Sequence, residues 1–282
     1  MITRKRIFLE LFDGPVPDAS RELESEGWAV LRSALSSQEV ALLFSEIEAI
    51  YDGVTADVRN GSLPADERED FRYEMLNRSA ACQRLIEDRR LLNVVEPLLG
   101  EDCHVIANTA WRNPPRPVHG HGGGHWHIDA GPHVPRPADI PWDERIPYPI
   151  FAVAIHVLLQ DCPDACGPTA VIPRSHRSGQ PPPLERTKDA ALSCDGRGAV
   201  AISGQAGDVI LFASDVWHRR MPTGSGDRGR FFLQIHYGRR DLAQRLLTTA
   251  QSNQLSPDAI ARARDERART VIGLHRPFFY DG

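Results

Sequence analysis

The sequence predicts a mainly β protein with flanking helices, its core a double-stranded β-helix, a cupin-like jelly roll. Three observations carry that expectation. From about residue 103 to 240, short runs rich in β-branched and aromatic residues alternate with Pro/Gly loops, the texture of an antiparallel double sheet. Pro and Gly each occur 22 times, many clustered, which favours strands and long loops over a helix bundle. The segments on either side carry helical periodicity instead.

In chain order, Gly27-Trp-Ala-Val-Leu31 reads as a short strand. Residues 36–52 read as a helix. Ser36 and Glu39 have capping-box spacing, Val40, Leu43, Phe44, Ile47 and Ile50 share one face, and Gly53 is a natural stop. A second amphipathic helix is expected over about 81–98, ending near Gly100. The strand candidates are His104–Trp111, Tyr148–Leu159, Thr169–Ile172, Ala199–Ile202, Asp208–Ala213 and Phe231–Tyr237. Beyond about 241 the pattern turns helical again, through Leu242, Leu246 and Leu247 and then Ala259–Val271, before an aromatic tail, HRPFFYDG. The whole reads as a single domain, 1–282, with a helical N-terminal part (about 1–102), a jelly-roll core (about 103–240) and a helical extension (about 241–282). Of two long loops, Pro-rich 130–149 reads as a lid over a pocket, and 174–198 as a connection.

Hydrophobic residues make up 41% and charged residues 25%, ordinary for a globular protein with a sizeable core. A net charge of −5 argues against a nucleic-acid partner, and no apolar run is long enough to span a bilayer. The opening MITRKRIFLELFDGP is interrupted by Glu10 and Asp13 and does not read as a signal peptide, so a cytoplasmic location is expected. Five cysteines form no disulfide framework. Cys162 and Cys166 have metal-pair spacing, but no second pair follows, so reduced, partly buried thiols are expected.

The eleven histidines are unevenly spread: His119, His121, His125, His127 and His133 fall in one segment, VHGHGGGHWHIDAGPH. A flexible His/Gly loop is the plain reading. The sharper one picks out His127 and Asp129, because residues two apart on a strand point to the same side. One imidazole and one carboxylate then face a common point, and a second imidazole from elsewhere completes a facial triad with an open face, as in non-haem Fe(II) oxygenases.

The second imidazole is sought in GDVILFASDVWHRRMPTGSGDRGRFFLQIHYG. Gly207-Asp208 turns into an apolar strand, and His218 follows it at the mouth of the next loop. Arg230 then opens a strand and, counting by twos, shares a face with Phe232, Gln234 and His236. A dicarboxylate needs a cation at its far end, and an arginine fork grips a carboxylate bidentately. Arg228 is the close rival.

These pieces resemble the phytanoyl-CoA dioxygenase family of Fe(II)/2-oxoglutarate oxygenases, and they come in the family's order over roughly residues 20–240. Gly27 to Arg32 with helix 36–52 is similar to its N-terminal strand and helix. Asn113-Pro-Pro115 matches a strand end ahead of the metal motif, Trp126-His-Ile-Asp129 resembles that motif, and Cys166 through His176 resembles its "NG-x-L-x-x-x-PGSH" strand. Gly207-Asp208 through His218 and Arg230 matches the distal half. Arg174 departs from the family's usual Gly, and the gap from His218 to Arg230 is one residue longer than its pattern.

The resemblance implies Fe(II) held by His127, Asp129 and His218, 2-oxoglutarate as cosubstrate with its far carboxylate on Arg230 (or Arg228), and O2 as oxidant. His156, where relatives often place an aromatic residue, is expected either to line the 2-oxoglutarate pocket or to be a core histidine. Trp126 and Trp217 are expected to pack. His176, Trp142, Arg136 and Tyr148 are candidates to meet substrate. Asp129 argues for hydroxylation, since halogenating relatives replace this carboxylate with a small residue. The partner expected is a small organic molecule. Three rival readings stand beside this one: a cupin-like metal-binding protein, a zinc hydrolase, and an Fe(II) enzyme that does not use 2-oxoglutarate. The helical C-terminus fits packing across a homodimer as well as against its own barrel.

Overall fold

A computed structural model describes residues 14–55, 57–59, 69–116, 120–247 and 255–276. His119, the first thirteen residues and the tail beyond Arg276 lie outside these described residues.

The N-terminal part is helical for local reasons. α1 (Asp18–Glu26) stops at Gly27 and leads directly into β1 (Trp28–Leu31). α2 (Ser37–Gly53) opens with the expected capping box: Glu39 N–H donates to Ser36 Oγ at 3.3 Å and Ser36 N–H donates to Glu39 Oε2 at 2.7 Å. Val40, Leu43 and Ile47 of α2 are buried. β2 (Asp57–Arg59) and β3 (Glu69–Arg72) form an antiparallel pair. The helix expected over about 81–98 is instead two, α4 (Ala80–Ile86) and α5 (Arg89–Leu99), preceded by the single turn α3 (Met75–Arg78). The break has a side-chain cause. Asp88 accepts a hydrogen bond from Arg90 N–H at 2.8 Å and caps a new helix, which outweighs the continuous apolar periodicity.

β4 (His104–Asn113), β5 (Ala152–Leu158), β6 (Thr169–Val171), β7 (Val200–Ala201), β8 (Val209–Ala213), β9 (His218–Arg220) and β10 (Arg230–Gly238) form the core. Two antiparallel sheets result: a seven-stranded one in the order β1-β8-β5-β10-β4-β3-β2, and a three-stranded one in the order β7-β6-β9. β5 begins four residues later than the sequence suggested, after Pro149 and Ile150. His218 sits on β9 rather than in a loop, because β9 pairs with β6 through Val171.

Pairing fixes which side chains look inward. Asn113, Trp111 and Thr109 of β4 stand opposite Arg230, Phe232 and Gln234 of β10, while His156 of β5 stands opposite Gln234 on its other side. The opposite face of the large sheet carries Leu233, Ile235, Val153, Ile155, Val157, Val209 and Leu211, which pack with α1, α2, α4 and α5 in the main hydrophobic cluster. A second cluster, with Leu158, Ile210, Phe212 and Phe232 from the large sheet and Val171 from the small one, fills the space between the sheets. β5 is therefore buried on both faces and shows no polar–apolar alternation.

The C-terminal helix expected over Ala259–Val271 is also two, α6 (Pro257–Arg262) and α7 (Glu266–Val271), the second started by Asp265, whose carboxylate accepts from Ala268 N–H at 2.8 Å. No helix among the described residues is long and apolar enough to cross a membrane.

Candidate metal and cosubstrate site

His127 and His218 exchange backbone hydrogen bonds, N–H to O=C in each direction at 3.0 Å, in an isolated antiparallel bridge. Asp129, two residues on, is tied to the same strand region by Asp129 N–H donating to Ser214 O at 3.0 Å. One ligand atom from each of His127, Asp129 and His218 lies within 4.8 Å of the others. Both imidazoles are oriented from behind. His127 Nδ1–H donates to His125 O at 2.8 Å and His218 Nδ1–H donates to Val216 O at 2.9 Å, which leaves each Nε2 as a lone-pair donor. Two imidazole nitrogens and a carboxylate with this preset tautomer fit a divalent first-row metal.

Asp129 has an exposed backbone, but its side chain is only 18% exposed, so the carboxylate is recessed while the chain beside it meets solvent. Burial pushes its carboxyl up. The imidazoles of His218 and His236 outweigh that and hold it well below the usual carboxylate range. His218 Nε2 is 3.5 Å from Asp129 Oδ1, and His236 Nε2 is 3.4 Å from Asp129 Oδ2.

The two arginine rivals separate. Arg228 is exposed and is held through its backbone, its N–H donating to Cys166 Sγ at 3.4 Å and its carbonyl accepting from Gln160 Nε2 at 3.1 Å. Arg230 is buried. Its Nε and Nη2 donate to Asn113 Oδ1 at 3.2 and 3.0 Å, its Nη1 donates to Gly167 O at 3.1 Å, and its guanidinium lies 5.2 Å from the Phe232 ring centre. It lines a cavity between the sheets with His156, Cys162, Thr169, Ile202 and Phe232. His156 is thus a pocket residue; burial, reinforced by the nearby Arg230 cation, holds its imidazole well below its usual range, so it is neutral.

Trp126 and Trp217 are buried in a third cluster outside the small sheet, as packing residues. Two substrate candidates turn inward instead. His176 is 1% exposed with Nε2 on Glu24 O at 3.0 Å, and Tyr148 is 1% exposed with its hydroxyl donating to Asp215 Oδ2 at 3.2 Å. Trp142 and Arg136 lie on the 130–149 segment, the guanidinium 5.4 Å from the indole. That segment is fastened to the 174–198 loop: Glu144 accepts from Arg177 Nη1 at 2.7 Å and pairs with Arg174, and Arg136 N–H donates to Gly179 O at 3.3 Å. The two loops thus form one layer. All five cysteines are free thiols and buried; Cys162 faces the cavity.

Sequence reasoning named Gln234 and His236 only as sharing a face with Arg230. The structure makes them part of the site, Gln234 Nε2 lying 2.9 Å from His236 Nε2. Asn113, noted only as a strand end, holds the Arg230 fork. The signal was present in the period of two along β10 and in its register with β4, but the register cannot be read from one strand.

Comparison with known proteins agrees with this geometry. The family described as Phytanoyl-CoA dioxygenase (PhyH) matches residues 23–229. An ectoine dioxygenase of Bordetella parapertussis is 27% identical over 232 residues, covering 71% of this chain and 68% of that protein. Among solved structures, EctD from S. alaskensis in its apo form aligns with a TM-score of 0.63 at 23% identity, over 99% of this chain and 90% of that one. The epimerase SnoN, solved with Fe3+, alpha ketoglutarate and a nogalamycin compound, aligns with a TM-score of 0.63 at 16% identity, over 84% and 92%. These two likenesses show the shared cupin-like double-stranded β-helix fold.

Proposed function

The chain belongs to the phytanoyl-CoA dioxygenase (PhyH) family of Fe(II)/2-oxoglutarate-dependent oxygenases, and from that premise we propose that it oxidises, by hydroxylation, an unactivated C–H bond of a small organic molecule. In this reading His127, Asp129 and His218 hold Fe(II), and Arg230 anchors the far carboxylate of 2-oxoglutarate. The observation that carries it is the pairing of a preset His/Asp/His cluster, at the small sheet, with a buried, Asn113-braced arginine on β10 of the large sheet.

With iron, 2-oxoglutarate and O2 bound, the chemistry supplied is oxidative decarboxylation to succinate and CO2, with one oxygen atom delivered to substrate. The chain's own residues do the rest. The backbone carbonyls of His125 and Val216 keep the two imidazoles in the ligating tautomer. Asn113 and Gly167 O hold the Arg230 fork in one orientation, so a carboxylate meets it without reorganisation. Leu158, Ile202, Ile210 and Phe232 give the pocket apolar walls that exclude water. His156, neutral between that arginine and Gln234, adds polarity without a competing charge.

Relatives named for ectoine and for nogalamycin biosynthesis support a compact organic substrate, in secondary metabolism, over a macromolecule. A buried arginine at the pocket's end also favours 2-oxoglutarate use over a purely metal-binding cupin. The test is anaerobic visible absorption of the Fe(II)-loaded protein as 2-oxoglutarate is titrated in. A weak charge-transfer band that is lost in His218→Ala is expected. Its absence at confirmed iron loading would overturn the 2-oxoglutarate assignment.

A further inference from the structure

Each of the two ligating histidines follows a tryptophan, and both tryptophans are tied twice to the same surface loop. Trp126, before His127, donates its backbone N–H to Thr187 O at 2.7 Å and its indole Nε1–H to Asp189 O at 2.8 Å. Trp217, before His218, donates its backbone N–H to Ser175 Oγ at 2.7 Å and its indole Nε1–H to Gln180 O at 2.8 Å. The carbonyl between the first two anchors is taken as well, Lys188 O accepting at 3.4 Å from Nη1 of Arg219, the residue after His218. Every one of these acceptors lies in the 174–198 loop, which the sequence marks only as a connection.

The loop is braced well enough to serve as an anchor. The Asp189 carboxylate accepts from Arg186 Nη2 at 2.8 Å on one oxygen and from Ala191 N–H at 2.8 Å on the other. Leu192 and Cys194, further along, pack with both indoles in the outer cluster.

Neighbouring residues on an extended chain face opposite ways. The indoles point outward into that cluster, while the imidazoles point to the metal cluster, the His218 ring centre lying 4.6 Å from that of Phe212 in the large sheet. The backbone bridge between His127 and His218 sets how far apart the two segments lie. It constrains less well the roll of each segment about its own axis. An indole N–H held on a fixed carbonyl at the outer face opposes that roll, and with it the swing of the imidazole on the inner face. A ligating constellation needs its atoms held within about 0.5 Å of the productive geometry, so a small roll matters. We propose that Trp126 and Trp217 are positioning residues for the metal centre, acting through the 174–198 loop, and that this solvent-facing loop is thereby coupled to metal binding. The proposal rests on the metal assignment above and adds to it two side chains that donate no ligand.

The test titrates the metal-free full chain with Co(II), whose visible absorption reports affinity and ligand geometry together. Trp126→Phe and Trp217→Phe keep an aromatic ring in the cluster and remove the indole N–H. Each is expected to weaken Co(II) binding by about 10-fold and to shift the Co(II) spectrum while circular dichroism stays native. A merely structural role would lower the melting temperature and leave affinity and spectrum at their wild-type values, which would overturn the proposal. A second measurement needs no substitution. Lys188 is exposed and is one of only two lysines in the chain, the other being Lys5. A lysine-specific endoproteinase therefore cuts the loop between the Thr187 and Asp189 anchors. Coupling is reciprocal, so saturating Co(II) is expected to slow that cut by about 5-fold or more. Equal cleavage rates with and without Co(II), in protein shown to bind it, would overturn the proposal even if neither variant folds. Asp129→Ala keeps the two readings apart. Its loss of Co(II) binding with no effect of the tryptophan variants sinks only the coupling, whereas full Co(II) binding by Asp129→Ala sinks the metal site itself.

Discussion

His127 and His218 hold each other through their backbones, each N–H on the other's carbonyl at 3.0 Å, and their ring centres stand 4.2 Å apart. The two imidazoles are thus neighbours because two chain segments are paired, and the pairing does not depend on either side chain. Removing a ring should leave the bridge in place. His127→Ala, Asp129→Ala and His218→Ala are each expected to lose about 100-fold or more in metal affinity and all iron-dependent turnover, at near-native thermal stability. Metal content after dialysis and a melting curve check both halves. A His218→Ala protein that retains stoichiometric iron would show that the cluster is not the metal site.

Arg230→Ala is expected to weaken 2-oxoglutarate binding by about 10- to 100-fold, the worth of a charge-assisted bidentate contact. It also leaves Asn113 Oδ1 without two donors, so part of the loss will appear as lowered stability. Arg230→Lys separates the effects, keeping charge but not the fork. Arg228→Ala, at an exposed position, is expected to change affinity by less than about twofold. Calorimetric titration of the metal-loaded protein gives both numbers, and a reversed order would exchange the two assignments.

Much of this site was legible from spacing, and the limits of that legibility are physical. The His127/Asp129 alternation and the position of Arg230 at a strand start depend only on local geometry. Arg230 parted from Arg228 only once Asn113 was seen opposite it, a register fact that no single strand contains. The helix breaks at Asp88 and Asp265 escaped an argument from apolar periodicity because capping carboxylates end helices without interrupting the apolar stripe. His176 looked like a substrate contact by its place in a motif. Its ring is instead turned against Tyr148 and the α1 backbone.

That burial makes His176 a source of acid sensitivity. Burial, the largest influence, pushes its imidazole down to about 4, and its Nδ1 is buried without a hydrogen-bond partner. The unfolded chain binds a proton near pH 6.5 and the folded chain resists it, so stability is intact above about 6.5 and falls as pH drops toward 4. The loss over that window is about 3 kcal/mol. His176→Gln retains a donor for Glu24 O but cannot titrate. The urea midpoints of the two proteins should therefore diverge between pH 7 and pH 4, with the wild type falling faster. Parallel curves would mean that His176 is protonated in the fold or open to solvent.

Gly229 abuts the brace of the arginine proposed to hold the cosubstrate. It sits at φ +81°, its N–H donates to Asp227 Oδ1 at 2.8 Å, and its carbonyl accepts from Gln160 Nε2 at 3.0 Å. A Cβ there would meet Asn113 O at 2.4 Å and Pro115 N at 3.1 Å, both backbone atoms that no rotamer change can move aside. Asn113 is the residue that braces Arg230, so the clash is delivered one residue from the guanidinium it orients. Gly196 is the natural control, at φ +74° with nothing near a new Cβ. Gly196→Ala should cost only the conformational strain, about 1 kcal/mol, and leave 2-oxoglutarate affinity unchanged. Gly229→Ala should cost about 2 kcal/mol or more and also weaken 2-oxoglutarate, even though Arg230 itself is untouched. Equal affinities in the two variants would show that the Asn113 brace does not set the orientation of the arginine.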